Sequence, residues 1–235
     1  MSHKTVGLIG GVGPGSTAAF YQSVVGRYAQ RHGGDQPALL IHSVPMTAAI
    51  EDAILGGQTD GPEVAELIGM LADGVAALAR GGAQAIVMPC NTLQGWLPPL
   101  VDRAGLPYIH LVGETAKQIQ RAGYQRVALI CTAAMRSLGL YQAELSARGL
   151  TVVLPTDAEQ AGINQAIHNS LHAGSDGAGA NAPLLPVLRR LERDADSLLL
   201  GCSDLQGLTQ PGFTRLPVVD AMDVLAEATV TYLLQ

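Results

Sequence analysis

Lysine and arginine nowhere gather into a cluster in this chain; there are 14 of them against 20 aspartates and glutamates, for a net charge of −6. A nucleic-acid surface needs a basic stripe to displace counterions, so that class of partner is excluded. No apolar run approaches the roughly 18 residues that a membrane crossing requires, so no membrane partner is expected. Met1–Thr5 is too short for a signal n-region, and the apolar stretch behind it is broken at once by glycines and Pro14. The expected compartment is the cytoplasm. Cysteine is scarce: Cys90, Cys131 and Cys202 cannot all pair, no Cys-x-x-Cys occurs, and a reducing compartment keeps them free. Their use is then burial or thiol chemistry. A metal-ligand spacing and a Schiff-base lysine motif are both missing, so no metal and no cofactor are expected.

Charged residues make up 14% and aromatics 4% of the chain, while 48% is hydrophobic. That balance suits a compact α/β protein and rules out wholesale disorder. Apolar runs alternate with segments of helical period. Thr5–Ile9, Ala38–Ser43, Ala85–Met88, Val127–Ile130, Thr151–Leu154 and Ser197–Leu200 read as strands. Between them, Ser16–Arg31, Pro62–Arg80, a segment entered at Pro98, Arg136–Arg148, Gln160–Leu171 and Ala182–Arg193 read as helices, with a last one over Met222–Leu234. Val64, Leu67, Ile68, Leu71, Val75 and Leu78 recur at intervals of three and four, the stripe of a helix laid on a sheet. Strand and helix in alternation imply parallel sheets covered by helices.

The second half echoes the first. Ala85-Ile86-Val87-Met88-Pro89-Cys90-Asn91-Thr92 is answered by Ser197-Leu198-Leu199-Leu200-Gly201-Cys202-Ser203-Asp204, each an apolar strand that ends on a thiol. Val6–Ile9 is answered by Val127–Ile130, and Leu106–Ala116 by Leu216–Ala226. The separations are 121 residues from Val6 to Val127, 112 from Cys90 to Cys202 and 110 from Pro107 to Pro217. Two homologous α/β domains follow, 1–112 plus 220–235 and 113–219, with equivalent strand ends facing one cleft. By that symmetry the last helix packs back on the first half. Cys131 ends a strand too, yet its counterpart is Gly10 and it has no twin. Cys90 and Cys202 each stand past a strand and shortly before an expected helix, whose amino-terminal field favours thiolate.

Gly10-Gly11-Val12-Gly13-Pro14-Gly15 invites a nucleotide reading, but G-x-G-x-x-G counted from Gly11 or Gly13 needs glycine where Ser16 and Ala18 stand. No lysine follows Gly15 to make a phosphate loop. What remains is a strand-to-helix turn with Ser16 or Thr17 as cap, either a tight turn alone or one whose amides approach an anion such as a small carboxylate. His172–Asn181 has nothing to bury and reads as a surface loop or a lid.

Gly-Gly-x-Gly-Pro after the first strand, Pro89-Cys90-Asn91-Thr92 and Gly201-Cys202-Ser203-Asp204 together resemble the aspartate/glutamate racemase family, over essentially the whole chain. The resemblance implies a cofactor-independent racemase and, frequently, a homodimer. Cys90 and Cys202 are then acid and base on opposite faces of an amino acid's α-carbon. Val12, Asn91, Thr92, Thr132 and Ser203 form the substrate-binding set, which holds the α-carboxylate. Asp204 has two readings, an orienter or proton acceptor for Cys202 and a plain helix cap.

Departures from the family pattern matter equally. Its aspartate-selective members carry an arginine after the second strand and a lysine in a later helix; Met46 stands in the first region and Gly162 in place of the second. Gln94 replaces the histidine of P-C-N-T-A-H. A site without either cation disfavours a second carboxylate, so a neutral or basic amino acid is the expected substrate, with Glu51, Asp52, Asp157 or Glu159 available to a cationic side chain. Arg136, beside the Thr132 loop, is the residue that can restore acidic specificity. A maleate isomerase-like enzyme, an arylmalonate decarboxylase-like enzyme and a two-lobed sensor with inert thiols are the alternatives.

Overall fold

The computed structural model describes residues 4–173, 182–205 and 212–235. The first half runs β1 (Thr5–Gly10), α1 (Pro14–Arg31), β2 (Ala38–Ser43), α2 (Ala48–Leu55), α3 (Pro62–Arg80), β3 (Ala85–Val87), a 3₁₀ turn (Thr92–Gly95), α4 (Pro98–Arg103), β4 (Tyr108–Ile109) and α5 (Leu111–Arg121). The second runs β5 (Arg126–Cys131), α6 (Ala133–Leu138), α7 (Leu140–Ala147), β6 (Thr151–Val153), α8 (Asp157–Ala173), a 3₁₀ turn (Ala182–Leu184), α9 (Leu185–Asp194), β7 (Ser197–Gly201), β8 (Val218–Asp220) and α10 (Ala221–Leu233).

These strands form two four-stranded sheets, ordered β2-β1-β3-β4 and β6-β5-β7-β8. Every pairing is parallel, as strand-helix alternation requires. The two orders are the same order written twice. In each sheet the chain leaves a central strand toward one edge, then returns and proceeds toward the other. The strand order therefore reverses between β1 and β3 and again between β5 and β7, the place where open α/β sheets leave a crevice beyond their carboxyl ends.

The chain divides into two compact units, one running to Glu114 and taking in Met222–Gln235, the other spanning Thr115–Ala221. In the first, Val64, Leu67, Leu71, Val75 and Leu78 of α3 are buried against Ile9, Ile86 and Met88. In the second, Ile130, Ile163, Leu188, Leu198 and Leu200 form the core. The helix α10 is tied to α1 by Arg27 to Asp223 and Arg31 to Glu227, both at 2.6 Å, and the Tyr232 hydroxyl donates to the Gln84 carbonyl at 2.8 Å. None of the described helices is long and apolar enough to cross a membrane.

Local differences from the sequence reading have local causes. Helix α1 starts at Pro14 with Gly13 as cap residue and no side-chain cap. Thr17 instead ties the turn, its hydroxyl accepting from the Gly11 amide and donating to the Gly13 carbonyl, both at 3.1 Å. The single helix expected over Arg136–Arg148 is two, because Gly139 adopts φ 66° and ends α6 in a left-handed cap. Helices α2 and α5 were not anticipated. The loop expected over His172–Asn181 lies outside the described residues except at its start, where α8 continues to Ala173.

Candidate active site

In the first unit, β1 and β3 deliver two backbone segments to the point where the strand order reverses. The β1 segment is the glycine turn. Gly11 has φ 88°, and a Cβ there would stand 2.5 Å from the Val44 carbonyl oxygen, so the close approach of two chains explains this glycine. The β3 segment is Met88-Pro89-Cys90-Asn91-Thr92. Val12, Met46, Cys90 and Tyr108 all pack against the same buried cluster, while Asn91 and Thr92 are buried polar residues.

Gln94 organises this second segment. It is 1% exposed, and its Nε2 donates to the carbonyls of Met88 at 3.0 Å and Cys90 at 2.8 Å. Its Oε1 accepts from the Tyr108 hydroxyl at 2.6 Å. Burial pushes the Tyr108 phenol far above its ordinary value, so the hydroxyl remains a donor.

In the second unit, Thr132 and Cys202 stand past the ends of β5 and β7. The Thr132 hydroxyl accepts from the Met135 amide at 3.1 Å and so caps α6, which leaves its own hydrogen to donate. Cys202 is 7% exposed, Ser203 is half-buried, and the Leu205 amide bonds the Cys202 carbonyl at 3.3 Å in a 3₁₀ turn. The Cys202 thiol donates to Asp204 Oδ2 at 3.5 Å, and burial raises the Asp204 carboxyl above the usual aspartate range. Asp204 is thus partnered with the thiol, not merely a solvated cap. Cys131 is 1% exposed and burial pushes its thiol up to about 12, so it stays neutral.

Several expectations change here. Neither Cys90 nor Cys202 is followed directly by an α-helix; each leads into a 3₁₀ turn, and beyond Cys90 the next α-helix begins only at Pro98. After Cys90, a single turn aligns too few peptide dipoles to supply the expected field. Glu159 is not free for a substrate. It closes a capping box with Thr156, whose amide donates to it at 2.7 Å, and it holds Arg190 in a fork at 2.6 and 2.8 Å. Those bonds, Arg190 first, hold its carboxyl down to about 2. A Cβ on Gly162 would lie 3.5 Å from the Pro183 carbonyl, so that position packs against the 3₁₀ turn at Ala182–Leu184.

A cavity of about 390 Å³ opens in this unit beside the ends of β5 and β6, lined by Ala133, Arg136, Ser137, Gln142, Leu154, Asp157 and Gln160. Arg136 lies on its wall with Nη2 bonded to Asp157 at 2.9 Å. Among the described residues no group of three or more His, Cys, Asp or Glu side chains is placed to hold a metal ion. Sequence reading named Gln94 only as a replacement and did not single out Tyr108. A polar residue close behind the thiol was the available signal, whereas the tyrosine reaches it only through the fold.

A family model described as Asp/Glu/hydantoin racemase matches residues 9–229. The chain is 27% identical over 233 residues to a protein of Bacillus subtilis (strain 168) named broad specificity amino-acid racemase RacX, covering 97% of this chain and 98% of that one. Among solved structures, a Yersinia pestis protein described as a candidate Asp/Glu racemase superposes with a TM-score of 0.85 at 26% identity, covering 99% of this chain and all 100% of that chain. The Picrophilus torridus aspartate racemase superposes with a TM-score of 0.79 at 23% identity, covering 98% and 94%, a likeness of fold.

Proposed function

The chain belongs to the Asp/Glu/hydantoin racemase family, and from that premise we propose that it inverts the α-carbon of an amino acid with Cys90 and Cys202 as the two proton-transfer groups. The observation that carries this reading is the duplication. Cys90 follows β3 and Cys202 follows β7, the corresponding strands of two sheets with one topology. A sensor or a one-thiol enzyme has no use for a matched pair.

Inversion needs a base on one face of the α-carbon and an acid on the other. One cysteine, as thiolate, takes the α-proton; the electron pair left behind delocalises into the carboxylate as an enolate-like carbanion. The other, as thiol, returns a proton to the opposite face. The thiols end with their protonation states exchanged, ready for the opposite enantiomer. Donors aimed at the carboxylate stabilise the developing charge, and that role falls to the hydroxyls of Thr92 and Thr132, the side chain of Asn91 and the amides at Val12 and Ser203. No cofactor enters this chemistry. Assembly as a homodimer in the cytoplasm belongs to the same reading.

The substrate in this reading is neutral or basic. Met46 brings no charge, Gly162 packs against Pro183, and Arg136 already faces Asp157. Nothing among these offsets the cost of desolvating a side-chain carboxylate. The broad specificity named for the Bacillus subtilis relative supports a substrate range that is not confined to aspartate and glutamate. Incubating the protein with single enantiomers of a panel of amino acids, and following loss of optical rotation, tests the proposal. Racemisation led by neutral or basic members supports it, and no racemisation of any member refutes it.

A further inference from the structure

We propose that Gln94 is the positioning residue for Cys90, a carboxamide clasp anchored on Tyr108 that holds the thiol-bearing segment in register after it leaves the sheet. The role assigned to Cys90 rests on the function proposed above; the clasp itself rests on geometry within one unit.

The sheet stops pairing β3 at Val87, and Pro89 has no amide hydrogen to donate. The carbonyls of Met88 and Cys90 therefore need donors from elsewhere, since buried backbone acceptors are rarely left open. Gln94 supplies both from one nitrogen, at 3.0 and 2.8 Å. Both amide hydrogens are then committed, and the remaining oxygen takes the Tyr108 hydroxyl at 2.6 Å. The partners fix which end of the amide is which, because two carbonyls face the nitrogen and a hydroxyl faces the oxygen. Tyr108 is itself fixed by β4, where it pairs with Ile86 of β3. A continuous path thus runs from the sheet through Tyr108 and Gln94 to the backbone on both sides of Pro89. A one-ångström displacement of a reacting group costs about a hundredfold in rate, so a device of this kind has a catalytic readout without touching substrate.

An amide is also neutral at every accessible pH, unlike a histidine at the same place. The titratable groups around it are the Tyr108 phenol, the Cys90 thiol and His110, whose ring lies 5.4 Å from that of Tyr108. Gln94→Glu preserves shape and removes donors. A buried carboxylate cannot bond two carbonyls, whereas the protonated acid donates to one of them.

The experiment compares wild type, Gln94→Glu and Tyr108→Phe in two assays from pH 5 to 9: racemisation, and the rate of Cys90 alkylation by iodoacetamide, read by mass spectrometry on the Cys90 peptide. The clasp predicts that Gln94→Glu loses kcat by roughly a hundredfold at pH 8 with KM little changed, and recovers part of it toward pH 5. Tyr108→Phe loses several-fold, with no new titration. The Cys90 alkylation profile shifts in both variants. If Gln94→Glu fails to fold, Tyr108→Phe carries the test alone. An unchanged Cys90 alkylation profile in folded variants overturns the clasp whatever the racemisation assay shows. A wild-type protein that racemises nothing overturns the proposed function, and the alkylation profiles still decide the clasp.

Discussion

The Cys202 thiol points at Asp204 Oδ2 across 3.5 Å, and the carboxyl it meets is one that burial has raised above the ordinary aspartate range. The buried carboxyl accepts the thiol's hydrogen bond and so is placed to orient Cys202. Replacing Asp204 by Asn keeps the shape and removes the titration. Its kcat is expected to fall about tenfold, about 1.4 kcal/mol in the barrier, with a shifted pH profile. The stability effect has a definite sign. The folded carboxyl binds its proton more tightly than the unfolded one, so wild-type stability falls as pH rises from the usual carboxylate range through the raised value. Asp204→Asn is therefore expected to be more stable than wild type at pH 8 and close to it at pH 4, by urea unfolding; equal differences at both pH values contradict this.

Glu159 makes the opposite prediction. Its carboxyl, held down to about 2 by Arg190 and Thr156, contributes stability that is present above the unfolded value near 4.5 and lost as pH falls toward 2. Side-chain exposures of 27% for Arg190 and 20% for Glu159 leave the pair partly screened, so Glu159→Gln is expected to cost about 2 kcal/mol at pH 7. The difference between variant and wild type should shrink steadily below pH 4.5. A constant difference down to pH 2.5 refutes the assignment.

Cys131 separates burial from chemistry. With its thiol pushed up to about 12 and 1% exposure, it should resist alkylation at pH 8 under conditions that label Cys90. Cys131→Ala should cost about 1 kcal/mol of stability through lost packing and leave kcat within about twofold. A large loss of kcat in a stable Cys131→Ala protein contradicts the account.

Substrate preference follows from charge. The kcat/KM values for alanine, methionine and lysine should exceed those for aspartate and glutamate by at least about tenfold, or about 1.4 kcal/mol. Should aspartate or glutamate lead instead, Arg136 is the residue to blame. In that case Arg136→Gln would abolish the preference.

Much of this was legible in the sequence for a physical reason. Buried parallel strands read as continuous apolar runs, so β1, β3, β5 and β7 stood out, and α3 announced itself by its stripe from Val64 to Leu78. The break between α6 and α7 was hidden because it depends on Gly139 taking a positive φ, which hydrophobic period does not encode. Glu159 looked available because its sequence neighbours do not reveal Arg190, which reaches it from α9. The capping box Thr156-Asp157-Ala158-Glu159 is readable in the sequence and by itself marks Glu159 as a helix-start residue. Cys90, Asn91 and Thr92 could be named from one segment; the clasp above them could not, since Tyr108 arrives by way of β4.

The two-thiol mechanism is tested most directly by following α-proton exchange in deuterium oxide alongside racemisation, starting from each pure enantiomer of the best substrate, in wild type, Cys90→Ala and Cys202→Ala. The account predicts that wild type incorporates deuterium as it inverts. Each single variant should lose racemisation in both directions by at least about a thousandfold, while any exchange it retains is confined to one enantiomer, a different one for each variant. Racemisation at wild-type rate in either cysteine variant contradicts the account.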